Sequence, residues 1–190
     1  RKAYRFTVQW GVETDTDDAE GRAVATSDAR PDRAAVEAAL PAFVGAIEQV
    51  PPRYSAIKIQ GERAYDLARE GEVVELAARD VRIDSILLTG RPDADHAVIE
   101  VECGKGTYMR SLARDIALAL GTVGHVAELR RLRVGRFTLA DAVTLEQLEA
   151  LMAEAEAEPP LLPIERALDR IPALALTEGE AARLRQGQPV

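Results

Sequence analysis

C-G-K-G-T-Y-M-R-S-L-A-R, residues 103–114, stands between two different hydrophobic rhythms. Before it, His96 to Cys103 alternates apolar and polar, the period of a strand. After it, Met109, Leu112, Ile116 and Leu120 recur at helical spacing. Gly104 and Gly106 between them predict a sharp strand-to-helix turn, and Gly121 predicts the end of the helix. Such a turn brings Lys105, Thr107, Tyr108 and Arg110 to a helix N-terminus, where free backbone N–H groups favour an anion. Gly-rich turns before helices are common and an Arg in a first turn is usually solvated, so the stretch alone leaves surface turn and site both open. It is not a Walker A loop: Gly106 follows Lys105, and Ile99 stands where the first glycine belongs.

Upstream, Tyr4, Phe6, Val8 and Trp10 alternate with Arg5, Thr7 and Gln9, predicting a half-buried strand. With no lead-in, that strand is expected to find some of its partners upstream of Arg1. The following T-D-T-D-D-A-E-G, residues 14–21, reads by itself as a solvated acidic loop. It is no EF-hand, because Ala19, Glu20 and Thr26 occupy positions that need an oxygen ligand, Gly and Glu. Asp32 predicts the cap of a helix carrying Val36, Leu40 and Phe43, bent or ended by Pro41. Pro51-Pro52 opens an extended segment in which Tyr54, Ala56 and Lys58 share a face; Gly61 breaks it, and a short helix ends at Gly71. Lone Tyr and Lys residues there are more often packing and surface than site.

Downstream of residue 71, Val81, Ile83, Ile86 and Leu88 predict a strand that turns at residues 91–95 and returns antiparallel from Ala97 to Cys103. Leu129, Leu132 and Val134 alternate with arginines that would suit a solvated edge strand. Thr144 with Gln147 predicts a capping box for a helix over 145–156, closed by Pro159-Pro160. A last strand over 173–176 and a second box, Thr177 with Glu180, precede a short helix ending at Gly187.

With 190 residues, 47% hydrophobic, the chain can bury one good core. Its net charge of −8 argues against a generic nucleic-acid coat. Yet residues 104–136 hold seven basic residues (Lys105, Arg110, Arg114, Arg130, Arg131, Arg133, Arg136) against Asp115 and Glu128, a local +5 able to hold a polyanion. One cysteine and two histidines supply neither an internal disulfide nor a zinc centre, and no apolar run has the length of a membrane span.

Four stretches in order then carry a resemblance: K-A-Y-R-F with the T-D-T-D-D-A-E-G loop, P-P-x-Y-S-A-x-K-x-x-G-x-x-A-Y-x-x-A-R-x-G, G-K-G-T-Y-M-R-S-L-A-R-D and L-R-R-L-R-V-G-x-F. Together, from Lys2 to Leu151, they resemble the TruB-type tRNA pseudouridine synthases. The resemblance implies an α+β pseudouridine-synthase fold, a mixed, mainly antiparallel sheet flanked by helices. It implies a catalytic domain over 1–158, a linker over 159–172 and, from 173 to 190, the start of a small PUA-like domain. It further implies isomerisation of a T-arm loop uridine in tRNA by base flipping, without metal or cofactor, in a cytoplasmic monomer that binds neither membrane nor DNA. Tyr4 matches the tyrosine that stacks on the target base, and Arg110 the arginine that pairs with the catalytic aspartate. Asp18 matches a loop aspartate near the pocket, Tyr108 a tyrosine on the flipped nucleotide, and Leu129 an apolar pocket wall. Lys58, Lys105, Arg130 and Arg131 are the expected remaining RNA contacts. The family's G-x-L-D-P-x-A-T-G-like loop, which holds the nucleophilic aspartate, occurs nowhere in these residues. It is therefore expected upstream of Arg1, leaving this chain alone inactive and Arg110 without its anion. A non-catalytic module or tRNA-folding chaperone that recognises the T-arm, and a fragment that needs further strands to fold, are the competing readings.

Overall fold

The computed structural model describes residues 1–55, 58–59, 62–63, 76–153, 161–168, 171–172 and 174–190. They divide into two compact units, Arg1–Asp141 and Ala142–Val190.

The first unit runs β1 (Lys2–Trp10), β2 (Val12–Thr14), β3 (Ala23–Thr26), α1 (Arg33–Ala39), a 3-10 turn (Leu40–Phe43) and β4 (Gly45–Gln49). It continues with β5 (Lys58–Ile59), β6 (Glu62–Arg63), β7 (Arg79–Gly90), β8 (His96–Cys103), α2 (Met109–Ala119), β9 (Gly124–Val134), β10 (Phe137–Thr138) and a 3-10 turn, Leu139–Asp141. Six strands form one sheet in the order β10-β9-β1-β8-β7-β4. Every strand pairing in it is antiparallel. The parallel component is a single bridge, Asp18 with Val126, by which the acidic loop docks on β9. The expectation that β1 finds partners upstream is corrected: it lies between β8 and β9, both supplied by later sequence.

The alternation of β1 puts Tyr4, Phe6, Val8 and Trp10 into the core, where they meet Ile83, Ile99 and Val101 from neighbouring strands. Helix α2 lays Met109, Leu112, Ala113, Ile116 and Ala117 onto the same core. Fully burying side chains such as Phe6 or Ile116 stabilises the unit by about 1.5–3 kcal/mol each. In β7 the apolar period slips between Ile83 and Ile86 because the register shifts between Ile83 and Ser85; Asp84 is the extra residue, so both isoleucines remain buried. Asp32 caps α1 by accepting from Ala35 N–H at 2.8 Å, and Pro41 sits in the 3-10 turn that ends it, as expected.

The segment from Pro51 bends at residues 53–55, and among its described residues the strand is Lys58–Ile59, paired with Glu62–Arg63. The expected helix ending at Gly71 and the side chain of Lys58 lie outside the described residues.

The second unit carries α3 (Leu145–Ala153), α4 (Glu165–Leu168) and α5 (Glu178–Arg185). Both expected capping boxes form: Thr144 Oγ1 accepts from Gln147 N–H at 3.1 Å, and Thr177 Oγ1 from Glu180 N–H at 3.3 Å. The strand expected over 173–176 is corrected, since the described residues 174–176 are irregular, and no other described segment offers them a hydrogen-bond ladder. No described helix is long and apolar enough to cross a membrane.

Candidate active site

The turn from β8 to α2 forms where the glycines place it. Gly106 has φ +88°, which a side chain would disfavour, and Gly121 ends the helix at φ +71°. Tyr108 is the N-cap residue of α2 but offers no capping side chain. That part falls to Gln49 at the end of β4, which is 2% exposed. Its carbonyl oxygen accepts the Tyr108 N–H at 2.8 Å, and its amide donates to Tyr108 O at 3.2 Å. Part of the anion-holding capacity expected at this turn is thus already used by the protein.

Arg110, in the first turn of the helix, is not left without an anion, which corrects the expectation for it. Its Nη1 donates to Asp18 Oδ2 and to Thr16 O, each at 3.0 Å, and its Nη2 to Tyr54 O at 2.8 Å. The other Asp18 oxygen accepts from Thr16 Oγ1 at 2.6 Å and from Glu20 N–H at 3.1 Å. Thr14 Oγ1 holds Asp18 O at 2.7 Å. The loop read as solvated acid is therefore a folded clamp. Asp17 within it is buried and adopts φ +60°. Its carboxylate accepts from Arg114 Nη1 at 3.0 Å. Burial pushes the Asp17 carboxyl above the usual aspartate range, against the pull of Arg114 and Arg110.

Two cavities adjoin at Arg110 and Leu129. One, of about 390 Å³, is lined by Lys2, Tyr4, Tyr108, Arg110, Leu129 and Arg131 together with the backbone turn at Gly106. The other, of about 360 Å³, is lined by Asp18, Ala19, Glu20, Arg110, Val126, Ala127 and Leu129. Both are of the size of small-ligand sites. Arg131 lies over the Tyr4 ring, 5.4 Å from its centroid, so one ring face is covered by a cation.

Strand pairing sorts the remaining expected residues. Register shifts in β9 set Leu129 opposite Phe6 and Arg131 opposite Tyr4, on the core face, while Arg130 stands opposite Arg5 on the other face. Arg130 therefore lines neither of these cavities and faces away from Arg131. The local +5 counted over residues 104–136 is partly neutralised in the fold. Arg110 pairs with Asp18, Arg114 with Asp17 and Asp115, and Arg133 with Glu102. Charge counted along the segment missed acids brought from residues 17–18 and 102. Lys105 is exposed at the apex of the turn and lines neither cavity. Tyr4, Tyr108, Arg110, Leu129 and Arg131 meet in one place, with Asp18 next door. No cluster of His, Cys, Asp and Glu suited to a metal occurs among the described residues.

Gln49 and Asp17 escaped the sequence reading, and Arg114 entered it only as one charge of the basic segment. The available hint was geometric: Arg110 and Arg114 share a helix face at i, i+4, and two adjacent aspartates stood ready in a loop.

The family profile described as TruB family pseudouridylate synthase, N-terminal domain, matches residues 1–109. The chain belongs to the TruB family. The profile of the tRNA pseudouridylate synthase B C-terminal domain matches residues 110–169. Among curated relatives, tRNA pseudouridine synthase B of Bradyrhizobium diazoefficiens is 60% identical over 195 residues, covering 100% of this chain and 56% of its own. That of Caulobacter vibrioides is 57% identical over 189 residues, covering 100% and 61%. The TruB-family chain thus spans little more than half the length of these relatives. In fold it is similar to a chain of a Cbf5-Nop10-Gar1 complex, with TM-score 0.71 and 23% identity over 98% of this chain and 48% of that one. A chain of an H/ACA RNP bound to a substrate RNA containing 2′-deoxyuridine gives TM-score 0.70 and 20% identity over 100% and 48%.

Proposed function

We propose that this TruB-family chain is the pocket-bearing part of a tRNA pseudouridine synthase that isomerises a uridine of the T-arm loop. The observation that carries the reading is the cavity where Tyr4, Tyr108, Leu129, Arg110 and Arg131 converge. Such a lining suits a flipped base: aromatic faces stack at about 1–3 kcal/mol per base, and cations hold the flanking phosphates. Arg110 is held from two sides, by Asp18 and by Tyr54 O, and so presents a fixed guanidinium at the junction of the two cavities. A fixed guanidinium stabilises the ionised form of a carboxylate brought beside it, the form a nucleophile needs. Asp18 is itself engaged by Thr16, Glu20 and Arg110, which makes it a supporting carboxylate and not the nucleophile. The family's nucleophilic loop has no counterpart in the 190 residues, so turnover is proposed for the protein at the length of its relatives. The same reading takes the protein as a cytoplasmic monomer acting on tRNA, and residues 173–190, after a linker over 159–172, as the start of a PUA-like module.

One observation favours a second reading, a module that grips the T-arm without turnover: the first cavity has no carboxylate in its lining. A tritium-release assay on T-arm RNA separates the two. Turnover by the full-length protein, abolished or sharply lowered by Tyr4→Leu while RNA binding persists, supports the synthase. Binding without turnover in the full-length protein overturns it. Full turnover by Tyr4→Leu removes Tyr4 from the site.

A further inference from the structure

We infer that Asp17 and Arg114 form a positioning pair, which holds the acidic loop in the one register that delivers Asp18 to Arg110; the inference rests on the proposed reaction. Neither residue lines either of the two cavities described above, whereas Arg110 lines both and Asp18 one of them. Asp17 and Arg114 therefore act on a base held in those cavities through their neighbours.

Arg110 and Arg114 lie one helical turn apart on one face of α2. Adjacent residues of an extended loop point to opposite sides, so Asp17 and Asp18 would ordinarily not both face that helix. The left-handed backbone of Asp17, φ +60°, makes it possible. The two carboxylates then meet the two guanidiniums as parallel rungs, Asp17 Oδ2 to Arg114 Nη1 and Asp18 Oδ2 to Arg110 Nη1, both at 3.0 Å. A second pair of contacts repeats the pattern from the other terminal nitrogen of each guanidinium. Arg114 Nη2 donates to Val50 O at 2.9 Å, and Arg110 Nη2 donates to Tyr54 O at 2.8 Å. Each arginine thus ties the acidic loop to residues 50–54, and the Arg114 rung is the more buried: the Asp17 side chain is 9% exposed against 24% for Asp18.

The loop is also fixed at its back. Val126 N–H donates to Asp17 O at 3.0 Å, and Ala19 N–H donates to Val126 O at 3.1 Å. These bonds set the height of the loop on β9, and Thr16 and Glu20 orient the Asp18 carboxylate, but they leave the Asp17 side chain, and with it the tilt of the loop against α2, free. Arg114 removes that freedom, because its planar fork binds Asp17, Asp115 and Val50 O at once. A lysine has no such fork, so Arg114→Lys keeps the charge opposite Asp17 and loses the simultaneous hold.

The test measures kcat and KM of the full-length protein on tRNA, well below the unfolding midpoint of every variant. Arg114→Gln lowers kcat about ten- to a hundredfold and leaves KM within about twofold, the pattern of a misplaced but present group. In an Asp18→Asn background the same change costs less than about twofold, because its route to the site is already broken. Arg114→Lys recovers part of the loss. Asp17→Asn, which preserves shape, gives the same result if Arg114→Gln fails to fold. Unchanged kcat in folded Arg114→Gln or Asp17→Asn overturns the inference and shows a pair that serves stability alone. An equal fold-loss with and without Asp18 overturns it as well. A wild-type protein without turnover removes the reaction reading and this inference with it, an outcome distinct from active but insensitive variants.

Discussion

Gln49 determines where Tyr108 stands. It is a buried amide whose two polar atoms both meet the Tyr108 backbone. Gln49→Leu roughly keeps volume but leaves the part-buried Tyr108 N–H without its partner, and should lower unfolding free energy by about 1–3 kcal/mol, read from the urea midpoint. Arg130 and Arg131 make the complementary point about faces. They are adjacent in sequence but opposite in the sheet. Arg131→Ala should reduce the slope of log affinity against log salt for T-arm RNA by about one ion, and Arg130→Ala should leave it unchanged. Equal slopes for the two variants would mean that RNA does not enter the Arg131 cavity. These residues also show where sequence stops being legible. The type and period of Tyr4, Met109 and Leu112 announce their burial. A glutamine that caps a helix 59 residues away carries no local mark of doing so.

At the scale of elements, the strand-turn-helix around residues 103–114 was readable because two glycines and a change of period act locally. The acidic loop was not. Its residues look solvated until α2 brings Arg110 and Arg114 against it, and only the left-handed backbone at Asp17 lets both acids face one helix. That arrangement has a pH signature. The native Asp17 carboxyl is raised by burial, so the folded chain binds its proton more tightly than the unfolded chain does. Its contribution to stability is greatest below the ordinary aspartate value and falls as pH climbs through the raised one. Asp115, raised by burial next to Arg114, adds a contribution of the same sign. Asp17→Asn does not titrate there. The difference in unfolding free energy between wild type and this variant should therefore move in favour of the variant across that acid window, in urea titrations at stepped pH. A pH-independent difference would show that Asp17 does not titrate differently in the folded chain.

At the scale of the whole molecule, every described residue of the hydrophobic core cluster lies between Tyr4 and Val126, inside the unit Arg1–Asp141. A chain ending at Asp141 should unfold in a single cooperative urea transition, with fluorescence of Trp10 and far-UV dichroism coincident. Separate transitions for the two probes would mean that the sheet needs more of the chain. Sheet order itself was beyond the sequence reading, because alternation tells a strand which face to bury and nothing about its neighbours. Antiparallel return of β8 on β7 could be read from the short turn between them; the insertion of β1 between β8 and β9 could not.

That insertion has a consequence in time. Of the strands in the six-stranded sheet, β1 is made before the other five yet is an inner strand, and both of its hydrogen-bonding edges wait for residues 96–134. At about 5–20 residues per second, roughly 5–25 seconds separate the emergence of β1 from that of its last partner. Throughout that interval Phe6, Val8 and Trp10 lie along a ribbon with two open edges, the kind of segment that pairs with whatever strand is nearest. Nascent chains that stall before residue 96 should therefore aggregate or be held by chaperones, whereas chains stalled beyond residue 141 should resist proteolysis.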